Sequence, residues 1–309
     1  MSLIIRVGGA RAQWWLDTMQ SLLPELECRA WDDPGDPGQV EIAVVWRPPP
    51  GGLKRFPNLR GIFSIGAGVD HVYADPELPR DVPVFRLVGP DLAQRMREYV
   101  ALHVLRYHRQ LPAMEAQRAS RAWEQPITPL AGDRTVGILG LGALGGSSAR
   151  TLRDLGFRVR GWARAQRELN GVEVFAGASR LPAFLADTEI LVCLLPLTPA
   201  TSGILDARLF AGLPRGAYLI NCARGQHLVE ADLLAALDSG QLAGATLDVF
   251  HEEPLPAAHP FWDHPAITIT PHTASLIDPE VGGRLLAANI RRFLAGEALA
   301  ERVDPAQGY

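Results

Sequence analysis

Between Met1 and Pro90, short apolar runs (LIIRV, LECRAW, EIAVVW, GIFSIG and VPVFRL) alternate with helical patterns such as AQWWLDTMQSLL. Within that helical stretch Trp15, Met19 and Leu22 or Leu23 recur at helical spacing and predict one buried stripe. The pattern predicts a small α/β domain, with the turn-rich stretches DDPGDPG and RPPPGG on its surface or beside a site. A long amphipathic helix follows Pro90. Asp91 is its expected N-cap, and Leu92, Met96, Val100, Val104, Tyr107 and Leu111 form one apolar face. From Arg134 the alternation restarts: TVGILG, RVRGW, VEVF, EILVCLLP, AYLINCA, GATLDV and AITIT read as strands, with helices through SSARTLRDLG, LPAFLADT and ADLLAALDSG. Such alternation predicts a parallel sheet wrapped by helices on both faces. PEVGGRLLAANIRRFLAG reads as a closing helix that the pattern assigns to neither domain. The fold class is therefore α/β, with two doubly wound, Rossmann-like parallel sheets, and 309 residues suit two domains of about 150 each.

Composition narrows the function classes. Hydrophobic residues make up 47%, enough for a sizeable core. The three cysteines, Cys28, Cys193 and Cys222, have no paired metal spacing, so neither a disulfide framework nor a metal site is expected, and a reducing cytoplasm fits best. The opening MSLIIRVGGARAQWW is too short an apolar run for a signal peptide, and no run approaches the roughly 20 apolar residues of a membrane span. A soluble protein is expected. A net charge of -4 without a basic block argues against nucleic acid as partner, although local arginines can still grip a small anion.

Candidate chemistry begins at the end of TVGIL, where Gly140, Gly142 and Gly145 form a G-x-G-x-x-G turn that opens a helix. The first glycine permits the tight turn, the second lets a pyrophosphate approach the backbone, and the third lets helix pack on strand. Amides of Ala143 and Leu144 would then hold the phosphates. The motif alone is weak evidence, but a strand before it, a helix after it and a second strand about 20 residues on give it the context of a dinucleotide site. That second strand ends in Ala163, where NAD binding usually requires an acid for the ribose 2′-hydroxyl. Arg164 follows at once and Arg167 comes one turn later, both able to hold a 2′-phosphate by bidentate contacts. The expectation is NADPH in preference to NADH. Arg158 and Arg160 are assigned to the strand itself, and the competing reading of Arg164 and Arg167 is an ordinary charged loop.

Further along, INCARG carries Arg224, LDVFHEEP carries Asp248 and Glu253, and ITPHTAS carries His272, each after an apolar strand. Taken singly, Arg224 reads as a surface ion pair, Glu253 as a loop carboxylate and His272 as the start of a helix. Placed together at the C-terminal strand ends of a doubly wound sheet, they supply an anion anchor, an acid/base and its orienting carboxylate.

RAQWWLDTM, VVWRPP, IGAGVDHV, VPVFRL, GILGLGALG, LLPLTPAT, GAYLINCARG, EADLLAALDSG, LDVFHEEPLP, ITPHTAS and VDPAQGY together span nearly the whole chain. With these motifs the sequence resembles the D-isomer-specific 2-hydroxyacid dehydrogenase family. The resemblance implies that Arg224, Glu253 and His272 are catalytic. It also implies that Asp248 holds the nicotinamide carboxamide with the backbone of Cys222 and Ala223, and that Leu195 and Pro196 join the cofactor site. Backbone amides of Ala67, Gly68 and Val69, in GAGVD, would grip a substrate carboxylate. The family's organisation implies a discontinuous substrate domain, 1–97 with 277–309, around a dinucleotide domain, 98–276. The implied activity is reduction of a small 2-oxo acid, glyoxylate or hydroxypyruvate, by NADPH in a homodimer. In GPDLAQRMREYV, Gln94, Arg95 and Arg97 stand where smaller residues are common in the family. That departure leaves the shape of the substrate pocket open, and with it a bulkier substrate such as a phenylpyruvate; a separate alternative is a non-catalytic NAD(P)-sensing protein on the same fold. Trp46 and Arg47 reach the pocket or serve as a buried ring and a surface charge. His71, His103, His108, His227, His251, His259 and His264 are assigned to structure or solvent.

Overall fold

The computed structural model describes residues 1–277 and 279–304; position 278 and the end of the VDPAQGY motif, 305–309, lie outside the described residues. The chain divides into two units, Met1–Asp91 with Ile277–Tyr309, and Leu92–Leu276.

In the first unit, strands β1 (Ser2–Arg6), β2 (Glu27–Ala30), β3 (Val40–Val45), β4 (Gly61–Ser64) and β5 (Val84–Phe85) form a sheet ordered β2-β1-β3-β4-β5. Every pairing is parallel. Helix α1 (Ala12–Leu22) buries Trp15 and Met19, and Leu23 at its C-cap is also buried. The short helix α2 (Asp70–Tyr73) follows the GAGVD loop and buries Val72.

Helix α3 (Pro90–His108) begins one residue before the expected cap, so Asp91 lies inside its first turn. Proline's fixed φ suits that position, where its missing N–H breaks no helical bond. Leu92, Met96, Val100, Val104 and Tyr107 are buried as the pattern predicts, but Leu111 is 40% exposed. The helix stops before it: Gln110 takes a left-handed φ of 56°, and Leu111 opens a separate helix α4 (Leu111–Ser120). A bidentate pair from Arg106 to Glu115 ties α4 back to α3. The division between units falls at Asp91 and Leu92, earlier than the expected 97/98, because Met96 already packs in the second unit's core.

That second unit holds β6 (Thr135–Leu139), β7 (Arg158–Ala163), β8 (Glu173–Ala176), β9 (Ile190–Cys193), β10 (Ala217–Asn221), β11 (Leu242–Leu247) and β12 (Ile267–Ile269). Their order is β12-β11-β10-β9-β6-β7-β8, all parallel. Helices α5 (Ala143–Asp154), α6 (Leu181–Leu185), α7 (Ala207–Ala211) and α8 (Glu230–Asp238) connect the strands. Because strand side chains alternate, Leu139, Leu191 and Leu219 pack with Phe184, Leu209 and Leu233 on one face. Ile138, Val192 and Ile220 pack with Val100, Tyr107 and Leu152 on the other. Burial on both faces explains the near-continuous apolar strands. Strand order reverses between β6 and β9, which places a crevice outside their C-terminal ends.

The closing helix α9 (Pro279–Leu294) belongs to the first unit and packs on α1. A side chain at Gly282 would come within 3.2 Å of Trp15, and one at Gly283 within 2.9 Å of Thr18, so the glycine pair permits this close approach.

Candidate active site

At the end of β6, Gly140 has φ of 95°, a left-handed turn, and an added Cβ would lie 2.6 Å from the carbonyl oxygen of Leu194 after β9. Gly145 sits so close to the strand that a Cβ would stand 1.8 Å from the Gly140 oxygen. Gly142 is different: no heavy atom lies within 4 Å of its would-be Cβ, and it forms the N-cap of α5 without a side-chain cap. Ala143 and Leu144 therefore open the helix beside clear space, the arrangement that backbone amides need to receive a pyrophosphate. These residues fit a dinucleotide.

β7 ends at Ala163, which is buried, with exposed Arg164 and Arg167 in the loop beyond. Arg167 donates from Nη1 to the carbonyl of Leu141, so its guanidinium lies against the glycine turn. Arg160 is spent elsewhere: it pairs with Glu173 and Asp187, each at 2.9 Å. Arg158 donates to the Asp133 carbonyl. The four arginines of FRVRGWARAQR thus separate into two strand residues and two loop residues.

The ends of β10, β11 and β12 stand side by side, since Asn221 is in register with Leu247 and Leu247 with Ile269. The residues that follow them form one cluster. Cys222 and Ala223 are buried after β10 and lead to half-buried Arg224, whose Nη1 donates to the Ala223 carbonyl at 2.7 Å. Arg224 is fixed at its backbone by fully buried His227, whose Nδ1 accepts the Arg224 N–H at 3.2 Å. The other ring nitrogen of His227 meets the Pro196 carbonyl at 3.3 Å, beside buried Leu195. As Nδ1 accepts, the donor to Pro196 is Nε2–H. Gly225 lets the loops after β10 and β11 touch, because a Cβ there would lie 2.0 Å from the Phe250 carbonyl carbon.

Glu253 accepts the Phe250 N–H at 3.0 Å through Oε1 and meets His272 Nδ1 at 2.9 Å through Oε2. His272 has φ of 52°, a left-handed conformation that costs energy for a residue with a Cβ. Its N–H donates to the Asp248 carbonyl at 2.8 Å, and the next two amides, Thr273 and Ala274, donate to the two Asp248 carboxylate oxygens at 2.9 Å each. Asp248 is 1% exposed. Burial pushes its carboxyl above the usual range, opposed by the Thr270 hydroxyl, those amides and His272. The cluster therefore combines a guanidinium, an imidazole held by a carboxylate and a buried acid at one set of strand ends.

In the first unit, the GAGVD loop leaves β4 with Gly66 donating to Ser64 Oγ at 3.2 Å, and Ala67, Gly68 and buried Val69 lead into α2. His71 braces this loop: Nε2 meets Ser64 Oγ at 3.2 Å and Nδ1 accepts the Arg47 N–H at 3.1 Å. Trp46 packs on the His71 ring at 4.4 Å between centroids, and a Cβ on Gly66 would strike it at 2.6 Å. Trp46 is thus packed against the loop, and Arg47 holds a left-handed φ of 49° beside it. His227 and His71, expected to serve structure or solvent, each brace a candidate site loop through their ring nitrogens. No motif spacing marks such a role, because the partners are backbone groups distant in sequence.

The family model for the D-isomer specific 2-hydroxyacid dehydrogenase NAD-binding domain matches residues 101–274. The chain belongs to the D-isomer specific 2-hydroxyacid dehydrogenase family, whose members are NAD(P)-dependent oxidoreductases. It is 47% identical over 304 residues to a glyoxylate/hydroxypyruvate reductase A of Serratia proteamaculans, covering 96% of each chain. Among solved structures it is similar to a family member from Xanthobacter autotrophicus Py2 in complex with NADPH and MES, at 43% identity and a TM-score of 0.94, covering 100% of this chain and 99% of that one. It is likewise similar to an NADPH-dependent glyoxylate/hydroxypyruvate reductase from Sinorhizobium meliloti in complex with NADP and sulfate, at 41% identity and a TM-score of 0.93, with 100% of both chains covered.

Proposed function

We propose that this protein reduces glyoxylate or hydroxypyruvate to the 2-hydroxy acid with NADPH. The observation that carries the proposal is the His272–Glu253 pair, 2.9 Å apart, which follows strands of the same parallel sheet that carries the dinucleotide turn after β6. The Serratia relative is named for both substrates and the Sinorhizobium structure for NADPH, which supports the same choice here. When bound, the dihydronicotinamide supplies the hydride equivalent that reduces the substrate carbonyl. Gly140, Gly142, Gly145 and the amides of Ala143 and Leu144 hold its pyrophosphate, and Leu195, Pro196, Cys222, Ala223 and Asp248 its nicotinamide end. Arg224 binds the substrate carboxylate and polarises the carbonyl. The amides of Ala67, Gly68 and Val69 are the carboxylate-binding groups that the family resemblance implies. His272 gives its Nε2 proton to the forming alkoxide, since Nδ1 is engaged by Glu253, and is then reprotonated from solvent. A steady-state screen of 2-oxo acids with both nicotinamide cofactors tests this reading: fastest turnover of the two small substrates with NADPH supports it, and preference for phenylpyruvate overturns it.

NADPH preference rests on Ala163, Arg164 and Arg167. A charge-assisted contact is worth about 1.5 to 3 kcal/mol, so loss of one arginine should cost roughly ten- to a hundredfold in kcat/KM with NADPH. Arg164→Ala is expected to show that loss while kcat/KM with NADH stays within about twofold. Equal kcat/KM for both cofactors, unchanged in the variant, contradicts the assignment.

The active form is a homodimer in the cytoplasm on this reading. Trp123, Ile127 and Leu130, in the segment after α4, are 91%, 96% and 77% exposed, an apolar set that a second copy would cover. Light scattering at micromolar concentration should give twice the 33.6 kDa chain mass, and a monomer there contradicts the dimer. The unpaired cysteines suit a reducing compartment, and among the described residues no helix is long and apolar enough to cross a membrane.

A further inference from the structure

A chain of hydroxyls runs from α3 to the acid beneath His272. Tyr99 Oη lies 2.7 Å from Thr270 Oγ1, and Thr270 Oγ1 lies 2.6 Å from Asp248 Oδ1. The donor directions follow from valence. Oδ1 already accepts the Thr273 N–H and Oδ2 the Ala274 N–H, so an ionised Asp248 has only acceptor capacity for Thr270. Thr270 has one hydroxyl proton, which goes to Asp248, and Tyr99 must therefore donate to Thr270. The phenol is well suited to that end of the chain: burial, then the charge of Asp248, pushes its pKa far above the usual range, so it stays a donor.

We propose that Tyr99 is a positioning residue for the reaction: through Thr270 it keeps the Asp248 carboxylate ionised and bound to the amides of Thr273 and Ala274, the turn that carries His272. The inference rests on the reading of His272 as proton donor. With Asp248 ionised, its two oxygens and its carbonyl hold three successive backbone N–H groups, from His272 to Ala274, and keep the left-handed His272 in place. A protonated Asp248 would place its proton toward Thr270 and reverse both hydroxyls, which weakens the acceptor that the turn depends on.

The groups facing Asp248 are few. Tyr99 approaches from α3, His272 from its own turn, and Cys222 from the end of β10, its thiol kept neutral by burial and by Asp248 itself. His103, whose ring lies 4.4 Å from that of Tyr99, is held neutral by burial, which lowers its pKa to about 4. His272 in turn faces Glu253 and Asp248. Removing a donor that favours the ionised acid raises the pH at which Asp248 takes up a proton. The acid limb of the pH–rate profile therefore moves upward.

Tyr99→Phe keeps the ring and removes only the hydroxyl. We expect NADPH affinity and the thermal midpoint to stay close to the parent's, kcat to fall about three- to tenfold, the worth of one hydrogen bond, and the acid limb of kcat/KM to rise by about half to one pH unit. Thr270→Val, which removes the direct donor, should reproduce both changes, and Thr270→Ser, which keeps the hydroxyl, should restore the parent profile. A Tyr99→Phe profile that superimposes on the parent's overturns the proposal. So does a fall in kcat with the acid limb unmoved, the signature of a bracing role alone. Should Tyr99→Phe fail to fold, the Thr270 pair decides by the same criteria. The underlying reading is judged separately by His272→Ala: loss of turnover there with an unaltered Tyr99→Phe removes the relay and leaves the proton donor, whereas normal turnover in His272→Ala removes both.

Discussion

Replacing His272 by alanine should lower kcat for glyoxylate reduction by about 10²- to 10⁴-fold, the usual worth of a positioned general acid. NADPH affinity should change little, because the glycine turn and the arginine loop follow β6 and β7, whereas His272 follows β12 at the other end of the sheet. The expectation follows from geometry: Glu253 Oε2 engages Nδ1 at 2.9 Å, Asp248 binds the three amides of the His272 turn, and the strained φ of 52° aims one ring at one place. Stopped-flow kinetics under single-turnover conditions separate the chemical step from product release. A His272→Ala variant with near-normal single-turnover rates would end the assignment of His272 as proton donor.

Arg224→Lys comes next in size. The substitution keeps the charge but loses the planar fork that binds a carboxylate bidentately, and it cannot reproduce the Nη1 contact to the Ala223 carbonyl. The expected loss in kcat/KM for a small 2-oxo acid is about 10²- to 10³-fold, the scale of removing one donor from a developing negative charge. The split matters. An effect on KM alone assigns Arg224 to binding, whereas a fall in both kcat and kcat/KM assigns it to the transition state as well. A variant with parent kinetics excludes Arg224 from the site. Its backbone anchor, His227, predicts that the loop itself stays in place in this variant, so cofactor binding serves as the control.

Much of the architecture could be read from the chain because apolar periodicity and turn chemistry act locally. The strand RVRGW ends at Ala163 in the structure, α1 buries Trp15 and Met19, and the three glycines at 140, 142 and 145 meet three different steric conditions. Periodicity alone passed over one break. Pro112 in LRYHRQLP is a helix-start signal two residues after Gln110, yet the apolar spacing runs on across it, so Leu111 reads as the end of one apolar face although it begins a new, exposed helix. Periodicity did not place α9 with α1 either, since that contact joins residues nearly a whole chain apart; only the family resemblance put the closing segment in the first domain. At the site, strand-end residues with distinctive chemistry stood out, namely Arg224, Asp248, Glu253 and His272. Their supports did not: Tyr99 lies off the apolar face that the spacing picks out on its helix, and His227 and His71 act through backbone partners. Long-range hydrogen bonds leave no period in a sequence.

The central claim is that the carbonyl carbon takes its hydride from bound NADPH and the oxygen its proton from His272, giving the D-isomer for which the family is specific. Product analysis with hydroxypyruvate tests it most directly, because the product, unlike glycolate, carries a stereocentre. With NADPH deuterated at the transferred position of the nicotinamide ring, the account predicts D-glycerate with deuterium at C2 as the sole product. L- or racemic glycerate, or D-glycerate without the label at C2, would contradict it.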